Sequence, residues 1–330
     1  MVRQYKQQAY QESLKKAHEG LIHPVLTCIR LTRACNIRCY YCSELYVPTG
    51  RDLNFEDWKH VTDVAYDLGN RDIVLSGGEP FLKDFLVDLV RYTASRDALV
   101  SIATNGRLLT REKLASLSEA GLDYLCISID SFKQECPENW GKVLTSRLNG
   151  ILKEIGKSEY NFETQISTVV TRNNLEDLSE MVRYFSSLGI STKFMLMMRN
   201  KINKKATENL AIQDNDAQIR KTIDSLLELK EQGALLIDDD FTLERVNSFF
   251  NGTRSHNCKG GEFDLSINND GRLVICPDGI VSERSVFELK SIENYQRFIE
   301  ECKTVTDQCG GCLWSHKQRL EESIIRGEHK

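Results

Sequence analysis

Short β-branched runs alternate with longer amphipathic stretches as far as residue 198. Six of these runs predict strands, at residues 25–32, 72–77, 98–104, 123–130, 163–170 and 192–198. The stretches between them carry apolar residues at helical spacing, and most of them end at Gly or Ser. Strands that alternate with helices in this way are typical of parallel β/α units. The pattern therefore predicts an α/β protein built on six such units.

The pattern changes after residue 198. A polar, basic stretch and a helical stretch follow, and from Cys258 the sequence FDLSI–NNDG–RLVIC predicts a β-hairpin with cysteines behind it. We therefore expect an N-terminal helical segment, a β/α core, a linker with helices and a cysteine-rich C-terminal domain. Their predicted bounds are 1–24, 25–198, 199–257 and 258–330.

Composition narrows the class of protein. The 330 residues carry a net charge of −5 without a block of like charge, so we expect no nucleic-acid partner. The sequence has no apolar run of the length needed to cross a membrane, and its first residues lack the apolar core of a signal peptide. We therefore expect a cytoplasmic protein. In a reducing compartment, its 11 cysteines favour metal binding or redox chemistry over disulfides.

Three cysteines, Cys35, Cys39 and Cys42, stand together in RLTRACNIRCYYCSEL, just after the first predicted strand. Loops at the carboxyl ends of parallel strands commonly carry the chemistry of β/α proteins. Zinc is one candidate metal for this site. Zinc sites usually take four protein ligands, however, and no fourth ligand lies nearby in the sequence. Three thiolates also suit three irons of a 4Fe-4S cluster whose fourth iron stays open.

The CxxxCxxC spacing, with Tyr41 before the last cysteine, resembles the radical SAM superfamily. A second match is SGGEP at the end of the second predicted strand, which carries Gly77, Gly78 and Glu79. The resemblance implies a partial (β/α)6 TIM-like barrel in which the open iron binds S-adenosylmethionine (SAM). Reductive cleavage of SAM to a 5′-deoxyadenosyl radical then allows hydrogen abstraction from an unactivated C–H bond of the substrate.

Further matches lie at the ends of later strands. Asn105 resembles the Asn of the family's TNG motif, and Ser128 and Asp130 resemble its SxD motif. An arginine that family members often carry about a dozen residues after that serine is missing, so Arg172, on the turn after the fifth strand, is an alternative partner for the SAM carboxylate. The SAM-binding residues that the resemblance implies are Tyr41, Gly77, Gly78, Glu79, Asn105, Ser128, Asp130, Val169 and Arg172.

The C-terminal cysteines resemble the opening of SPASM and Twitch extensions. Cys258, a glycine at 271 and Cys276 have the matching spacing, and Cys309 and Cys312 follow in CGGC. These four cysteines suffice for one auxiliary 4Fe-4S cluster, which with the first gives two clusters. A zinc ribbon is the alternative, and Cys302 could replace one of the four ligands.

The resemblance predicts a radical SAM oxidoreductase that oxidises a small polar intermediate, such as an aminocyclitol or sugar. The alternatives are a ribosomal-peptide maturase that epimerises or cross-links its peptide and, more remotely, a non-catalytic zinc or iron-sulfur scaffold. Some 24 residues precede the first strand, so we expect no leader-binding domain before it. An epimerase would need a hydrogen donor, for which Cys136 is the candidate. A small molecule or short peptide and a flavodoxin- or ferredoxin-type electron donor are the expected partners.

Residues of three strands are predicted to fill space without chemistry. Cys28 and Cys126 lie within predicted strands, where a thiol is often a small apolar side chain. Met195, Met197 and Met198, in the sixth strand, are expected to pack in the core.

Overall fold

The computed structural model describes most of the β/α core and parts of the flanking segments. The described residues are 2–21, 23–42, 50–132, 142–157, 160–197, 217–238, 243, 246, 261–276 and 280–306. Cys136, Met198, Cys258, Cys309 and Cys312 lie outside them, so the predictions made for these residues remain predictions.

Helices and strands alternate as the sequence predicts. The strands are β1 Leu26–Arg30, β2 Asp72–Ser76, β3 Leu99–Thr104, β4 Tyr124–Ser128, β5 Glu163–Val170, β6 Ser191–Leu196, β7 Asp264–Ile267, β8 Arg272–Cys276 and β9 Ile280–Ser285. The helices are α1 Val2–His18, α2 Phe55–Asp67, α3 Leu86–Ala94, α4 Arg111–Ala120, α5 Ser146–Ile155, α6 Leu178–Ser187, α7 Ala217–Glu231 and α8 Ile292–Thr306. All six predicted core strands are confirmed, with ends that coincide or shift by one or two residues.

All nine strands belong to one sheet, in the order β6-β5-β4-β3-β2-β1-β7-β8-β9. The first six are mutually parallel and form the predicted open partial barrel. Strand β7 pairs in parallel with β1, and β8 and β9 continue the sheet antiparallel, which confirms the predicted hairpin. The C-terminal strands therefore extend the core sheet directly instead of forming a sheet of their own.

Successive side chains of each core strand lie alternately on the two faces of the sheet. On β2, Ile73 and Leu75 are fully buried against Trp58 and Val61 of α2, which begins at an Asn54 capping box. The helices cover this apolar outer face of the sheet. The other face of the core strands is lined by smaller and more polar side chains and encloses a cavity, which we call the lumen.

Helix α1 lies across the amino-terminal ends of the core strands. Its Lys6 forms a buried ion pair with Asp123, just before β4, with 2.9 Å between Nζ and Oδ2. Ser13 donates to the carbonyl oxygen of Gly69, just before β2. The predicted N-terminal helix is thus part of the barrel, where it bounds one end of the lumen. No helix among the described residues is apolar enough over a sufficient length to cross a membrane.

Candidate functional site

The lumen is a single cavity of about 1300 Å³ that runs the length of the barrel. One end, the mouth, lies at the carboxyl ends of the strands beside residues 31–42, the cysteine loop. The other end, the floor, lies beside α1. Typical small-molecule pockets occupy roughly 300–1000 Å³, so the lumen has room for more than one bound group.

All three predicted cluster ligands lie at the mouth. Cys35, Cys39 and Cys42 line the lumen, and Cys39 is almost fully buried. The amide of Cys42 donates to the carbonyl of Cys39 at 3.0 Å, which closes the turn that brings the last two thiols together. The sequence-predicted triad is therefore one spatial group on one loop.

The glycines of SGGEP bring the backbone after β2 against the cysteine loop. Gly78 donates its amide to the carbonyl of Thr32 at 2.7 Å, and Glu79 donates to that of Ala34 at 2.9 Å. A Cβ on Gly77 would overlap Thr32, and one on Gly78 would overlap Ala34. Gly77 also has a φ of +130°, a backbone conformation that residues with a side chain rarely adopt. Both glycines therefore let the end of β2 approach the backbone of the cysteine loop closely.

Glu79 joins the ends of β2 and β3. Its buried carboxylate accepts hydrogen bonds from the Thr104 hydroxyl at 2.7 Å and from the amides of Asn105 at 2.9 Å and Phe81 at 3.2 Å. Burial raises the pKa of Glu79, although these donors oppose the shift. Asn105 donates its side-chain amide to Asn36 of the cysteine loop at 2.7 Å. These contacts hold SGGEP and TNG in fixed positions around the loop.

Asp130 and Tyr41 form a second buried contact at the mouth. The Tyr41 hydroxyl donates to one carboxylate oxygen of Asp130, and the amide of Val169 donates to the other at 2.8 Å. Burial raises the pKa of Asp130. Ser128 lines the lumen two residues earlier on the same strand. These predicted residues therefore do converge on the cysteine loop.

Arg172 is not brought to this site. It is exposed on the turn after β5 and does not line the lumen. Arg147, another late arginine, donates instead to the carbonyls of Arg107 and Leu109. The structure therefore does not bring Arg172 to the mouth, because the turn directs it to solvent, and its part in binding SAM stays a prediction.

Sequence reasoning missed Lys142, whose ammonium faces the mouth. It lies 5.5 Å from the centre of the Tyr41 ring and lines the lumen. Burial lowers the pKa of Lys142, but Asp130, Cys39 and Cys42 outweigh it and raise that pKa. The signal was available, because Lys142 follows Ser128 by about the distance at which an arginine was sought.

Four residues predicted to be inert line the lumen. Met195 and Met197 lie beside Val169, and Cys28 and Cys126 also face the cavity. Met197 is buried in an apolar cluster with Val169, Met195 packs against that cluster, and Cys126 is buried as well, so these residues do fill space, on the face of the sheet that lines the lumen.

The chemistry of the cysteine triad suits a cationic metal centre. Burial raises the pKa of the Cys39 thiol to about 11, since the nearby Asp130, Cys42 and Cys35 add to the effect and Lys142 only partly opposes it. A bound cationic centre would stabilise the thiolates that such a site needs. Among the described residues, no three His, Cys, Asp or Glu side chains are arranged to hold a single metal ion. In a cubane, each thiolate binds a separate iron, so a 4Fe-4S cluster does not require such convergence.

Two cysteines of the C-terminal region are described. Cys276 ends β8, opposite Ile280 of β9. Cys302 is buried on α8, and a Cβ at Gly261 would lie 3.7 Å from its sulfur. Cys302 therefore packs close to the chain that follows Cys258, and its part in an auxiliary cluster stays a prediction.

An open parallel barrel with three cysteines at the carboxyl edge of its first strand defines a class of metal-dependent enzyme fold. The family model of the radical SAM superfamily matches residues 29–211, more than half of the chain. The chain therefore belongs to the radical SAM superfamily, whose members bind SAM and a 4Fe-4S cluster.

Comparison with known proteins shows that the chain is similar to several enzymes whose names indicate different reactions. AdoMet-dependent heme synthase of Methanosarcina barkeri is 33% identical over 172 residues, which cover 50% of this chain and 48% of that protein. PqqA peptide cyclase of Bradyrhizobium diazoefficiens is 25% identical over 162 residues, covering 48% and 43%. The chain thus matches about half the length of these curated relatives. The structure of Streptococcus suis SuiB bound to precursor peptide SuiA has a TM-score of 0.67 at 17% identity, and the match covers 85% of this chain and 66% of SuiB. That likeness is one of fold.

Proposed function

We propose that this radical SAM enzyme oxidises a small polar substrate held in the lumen, with a second, auxiliary cluster in its C-terminal region. The cluster at Cys35, Cys39 and Cys42, with SAM bound, supplies a 5′-deoxyadenosyl radical that takes one hydrogen atom from substrate. An auxiliary cluster at Cys258, Cys276, Cys309 and Cys312 supplies an acceptor for the substrate's remaining electron. A proton lost to water completes a two-electron oxidation, such as alcohol to ketone.

The chain's own residues hold the reacting groups and exclude water. Glu79 and Asn105 fix the backbone around the cysteine loop through their hydrogen bonds. The aromatic and thioether side chains of Tyr41, Met195 and Met197 give the mouth an apolar wall. Such a wall limits the access of water to a reactive carbon radical.

Lys142 is the residue we assign to the SAM carboxylate. It is a half-buried ammonium at the mouth and forms no ion pair among the described residues. A carboxylate brought next to this ammonium gains a charge-assisted hydrogen bond. Arg172 is exposed and cannot fill this role without movement of its turn.

The observation that carries the preference for a small substrate is the position of α1. The helix covers the amino-terminal ends of the strands, and its Lys6 is locked to Asp123. Glutamines 4, 7, 8 and 11 recur at i, i+3, i+4 and i+7 and line the lumen with Gln165 and Ser167 of β5. Amides and hydroxyls at this end suit a polar substrate better than an apolar one.

Peptide maturation is the second candidate. The fold likeness to SuiB, whose structure holds a precursor peptide, and the match to PqqA peptide cyclase favour it. A peptide loop or terminus would have to enter the same lumen to reach the radical. In that case Cys126, which lines the lumen, joins Cys136 as a candidate hydrogen donor for epimerisation.

Anaerobic reconstitution with mass spectrometry in deuterated water tests the proposal. We expect about eight irons per chain from two 4Fe-4S clusters. We also expect loss of 5′-deoxyadenosine formation when Cys35, Cys39 and Cys42 are replaced by Ala, because no open iron remains. Replacement of Cys276 by Ala should retain uncoupled SAM cleavage but lose product.

The product distinguishes the two candidates. Oxidation removes two hydrogens from a small substrate and consumes one SAM per product. A product of unchanged formula that carries one solvent deuterium, and that disappears in Cys136→Ala or Cys126→Ala, would replace the oxidative proposal with epimerisation. SAM turnover that persists in the triple cysteine variant would refute the proposed cofactor site.

A further inference from the structure

The lumen is lined by an acidic side chain at its floor and by a basic side chain from the middle of another strand, and the field of the base reaches the acid. Asp72 begins β2 and Lys193 lies in β6, and both line the cavity. Their neighbours in sequence, Ile73 and Phe194, point into the apolar core instead. Strand alternation therefore directs both charges to the lumen.

Neither side chain forms an ion pair with another of the described residues. The Oδ1 atom of Asp72 is excluded from solvent and has no hydrogen-bond partner. The Lys193 residue is only 7% exposed. Within the part of the chain that the structure describes, no ion pair joins the two residues or satisfies either one. Buried charges are normally paired, so two unmatched charges facing one cavity indicate a ligand that matches both.

Other nearby charges are already used. Asp123 binds Lys6 and also accepts the amide of Val100 at 2.9 Å. The other side chains at this end of the lumen are the neutral Tyr10, Tyr124, Gln11 and Gln165 and the exposed carboxylate of Glu12 on α1. Among the buried strand residues at this end, recognition of charge therefore rests on Asp72 and Lys193.

We propose that the floor is a substrate-anchoring subsite for a dipolar ligand, with Asp72 binding an ammonium group and Lys193 binding a carboxylate. The ligand class is an amino acid or the like, or a peptide segment that carries both charges. An aminocyclitol, which has amines alone, would leave Lys193 unmatched and place a second cation beside it. This inference rests on the proposed function, because it assigns the substrate of the same lumen.

The electrostatics of the floor agree with this geometry. Burial raises the pKa of Asp72 to about 7, against the field of Lys193 and with that of Asp123. An incoming ammonium would favour the charged form and recover the interaction that the empty site lacks.

Four small probes separate the contributions of the two charges. Glycyl-L-serine is dipolar, its N-acetyl derivative lacks the ammonium, and its C-terminal amide lacks the carboxylate. The fourth probe, 2-deoxystreptamine, carries amines alone. Affinities are measured by calorimetry on the reconstituted full chain with SAM, for wild type, Asp72→Asn and Lys193→Met. Asp88→Asn and Lys303→Met remove exposed charges of helices α3 and α8 and are the matched controls.

We expect wild type to bind the dipolar probe about tenfold or more tightly than either derivative. Asp72→Asn should abolish its advantage over the N-acetyl derivative without weakening binding of that derivative. Lys193→Met should abolish its advantage over the amide in the same way. The control variants should retain wild-type preferences.

Three results would overturn the inference. They are equal affinity of wild type for the dipeptide and its derivatives, no binding of the dipeptide, and tighter binding of 2-deoxystreptamine. The proposed function is judged separately, by 5′-deoxyadenosine formed without probe. Wild type and the control Asp88→Asn should form it equally, because Asp88 is exposed on α3 and does not line the lumen. Its absence in wild type would refute the proposed function, and its loss only in Asp72→Asn would place Asp72 in the SAM site instead of a substrate subsite.

Discussion

The buried carboxylates at the mouth of the lumen and the one at its floor differ in how far the protein satisfies them with hydrogen bonds. At the mouth, Glu79 accepts three hydrogen bonds and Asp130 accepts two, so each carboxylate is tied to backbone or side-chain donors. At the floor, Asp72 keeps an unpartnered oxygen. The first arrangement fixes a loop, whereas the second leaves binding capacity for something from outside. All of these carboxylates are buried, so burial and charge do not distinguish a carboxylate that fixes a loop from one that can bind a ligand. The number of hydrogen-bond donors around each carboxylate does distinguish them.

Gly78→Ala should give the largest effect, at the mouth. The new Cβ would overlap the carbonyl of Ala34 and push the cysteine loop away from SGGEP. Since a misplacement of about 1 Å can lower a rate 100-fold, we expect SAM cleavage to fall by about that factor or more. The measurement is 5′-deoxyadenosine formed per reconstituted cluster.

Gly150→Ala is the control for that prediction. Gly150 lies in α5 with open space where its Cβ would be, so alanine there should leave SAM cleavage unchanged and raise stability by about 0.5–1 kcal/mol. Activity of Gly78→Ala equal to that of Gly150→Ala would show that the close approach of SGGEP to the cysteine loop is not needed.

Lys142→Met should have an intermediate effect. If the ammonium binds the SAM carboxylate, its loss removes a charge-assisted hydrogen bond that is worth about 1.5–3 kcal/mol, or roughly 10- to 100-fold in SAM affinity. Lys142→Arg should recover part of this affinity. Equilibrium binding of SAM to the reconstituted protein measures it, and Lys153→Met, an exposed lysine of α5, is the control. Unchanged SAM affinity in Lys142→Met would end the assignment.

The difference between the two ends also explains what the sequence could predict. At the mouth, CxxxCxxC and SGGEP occupy short stretches at strand ends, and parallel strands bring those ends to one edge. The triad, the glycines and Glu79 were therefore found from the sequence. At the floor, Asp72 and Lys193 are 121 positions apart and belong to no motif. Their juxtaposition depends on barrel curvature, which linear spacing does not encode.

Arg172 and Lys142 show a second reason for failure. Both lie near strand ends, where a shift of one or two positions decides between lumen and solvent. Arg172 follows β5 on a turn that exposes it, whereas Lys142 is directed inward through a backbone contact, its carbonyl accepting the amide of Asp130 at 2.7 Å. Which of the two cations faces the lumen therefore depends on the local backbone geometry more than on whether the residue is an arginine or a lysine.

The C-terminal hairpin was predicted as a separate unit, but its turn contacts the cysteine loop. Arg33 donates to Asn268 at 3.0 Å. Asp52 accepts from Thr32 and from Asn269, each at 2.6 Å. The turn residues are polar in sequence, and turns are usually exposed, so only the pairing of β7 with β1 reveals this contact. The hairpin thereby supports the mouth from the side opposite to Glu79.

The last prediction concerns stability instead of SAM cleavage or binding, namely its pH dependence at the floor. Burial raises the pKa of Asp72 from 3.8 to about 7, so between these values the folded protein keeps a proton that the unfolded chain releases. Stability from this group is therefore present below about pH 4 and is lost as pH rises through about 7, at about 1.4 kcal/mol per pKa unit. Asp72→Asn removes that loss. Its Tm minus that of wild type should accordingly increase from pH 4 to pH 8, while Asp88→Asn shows no such trend. A dipolar ligand that charges Asp72 should flatten the wild-type profile as well, because the bound ammonium stabilises the carboxylate. A difference in Tm that stays constant with pH would mean that Asp72 is already charged and matched in the empty lumen, which would remove the contrast between floor and mouth.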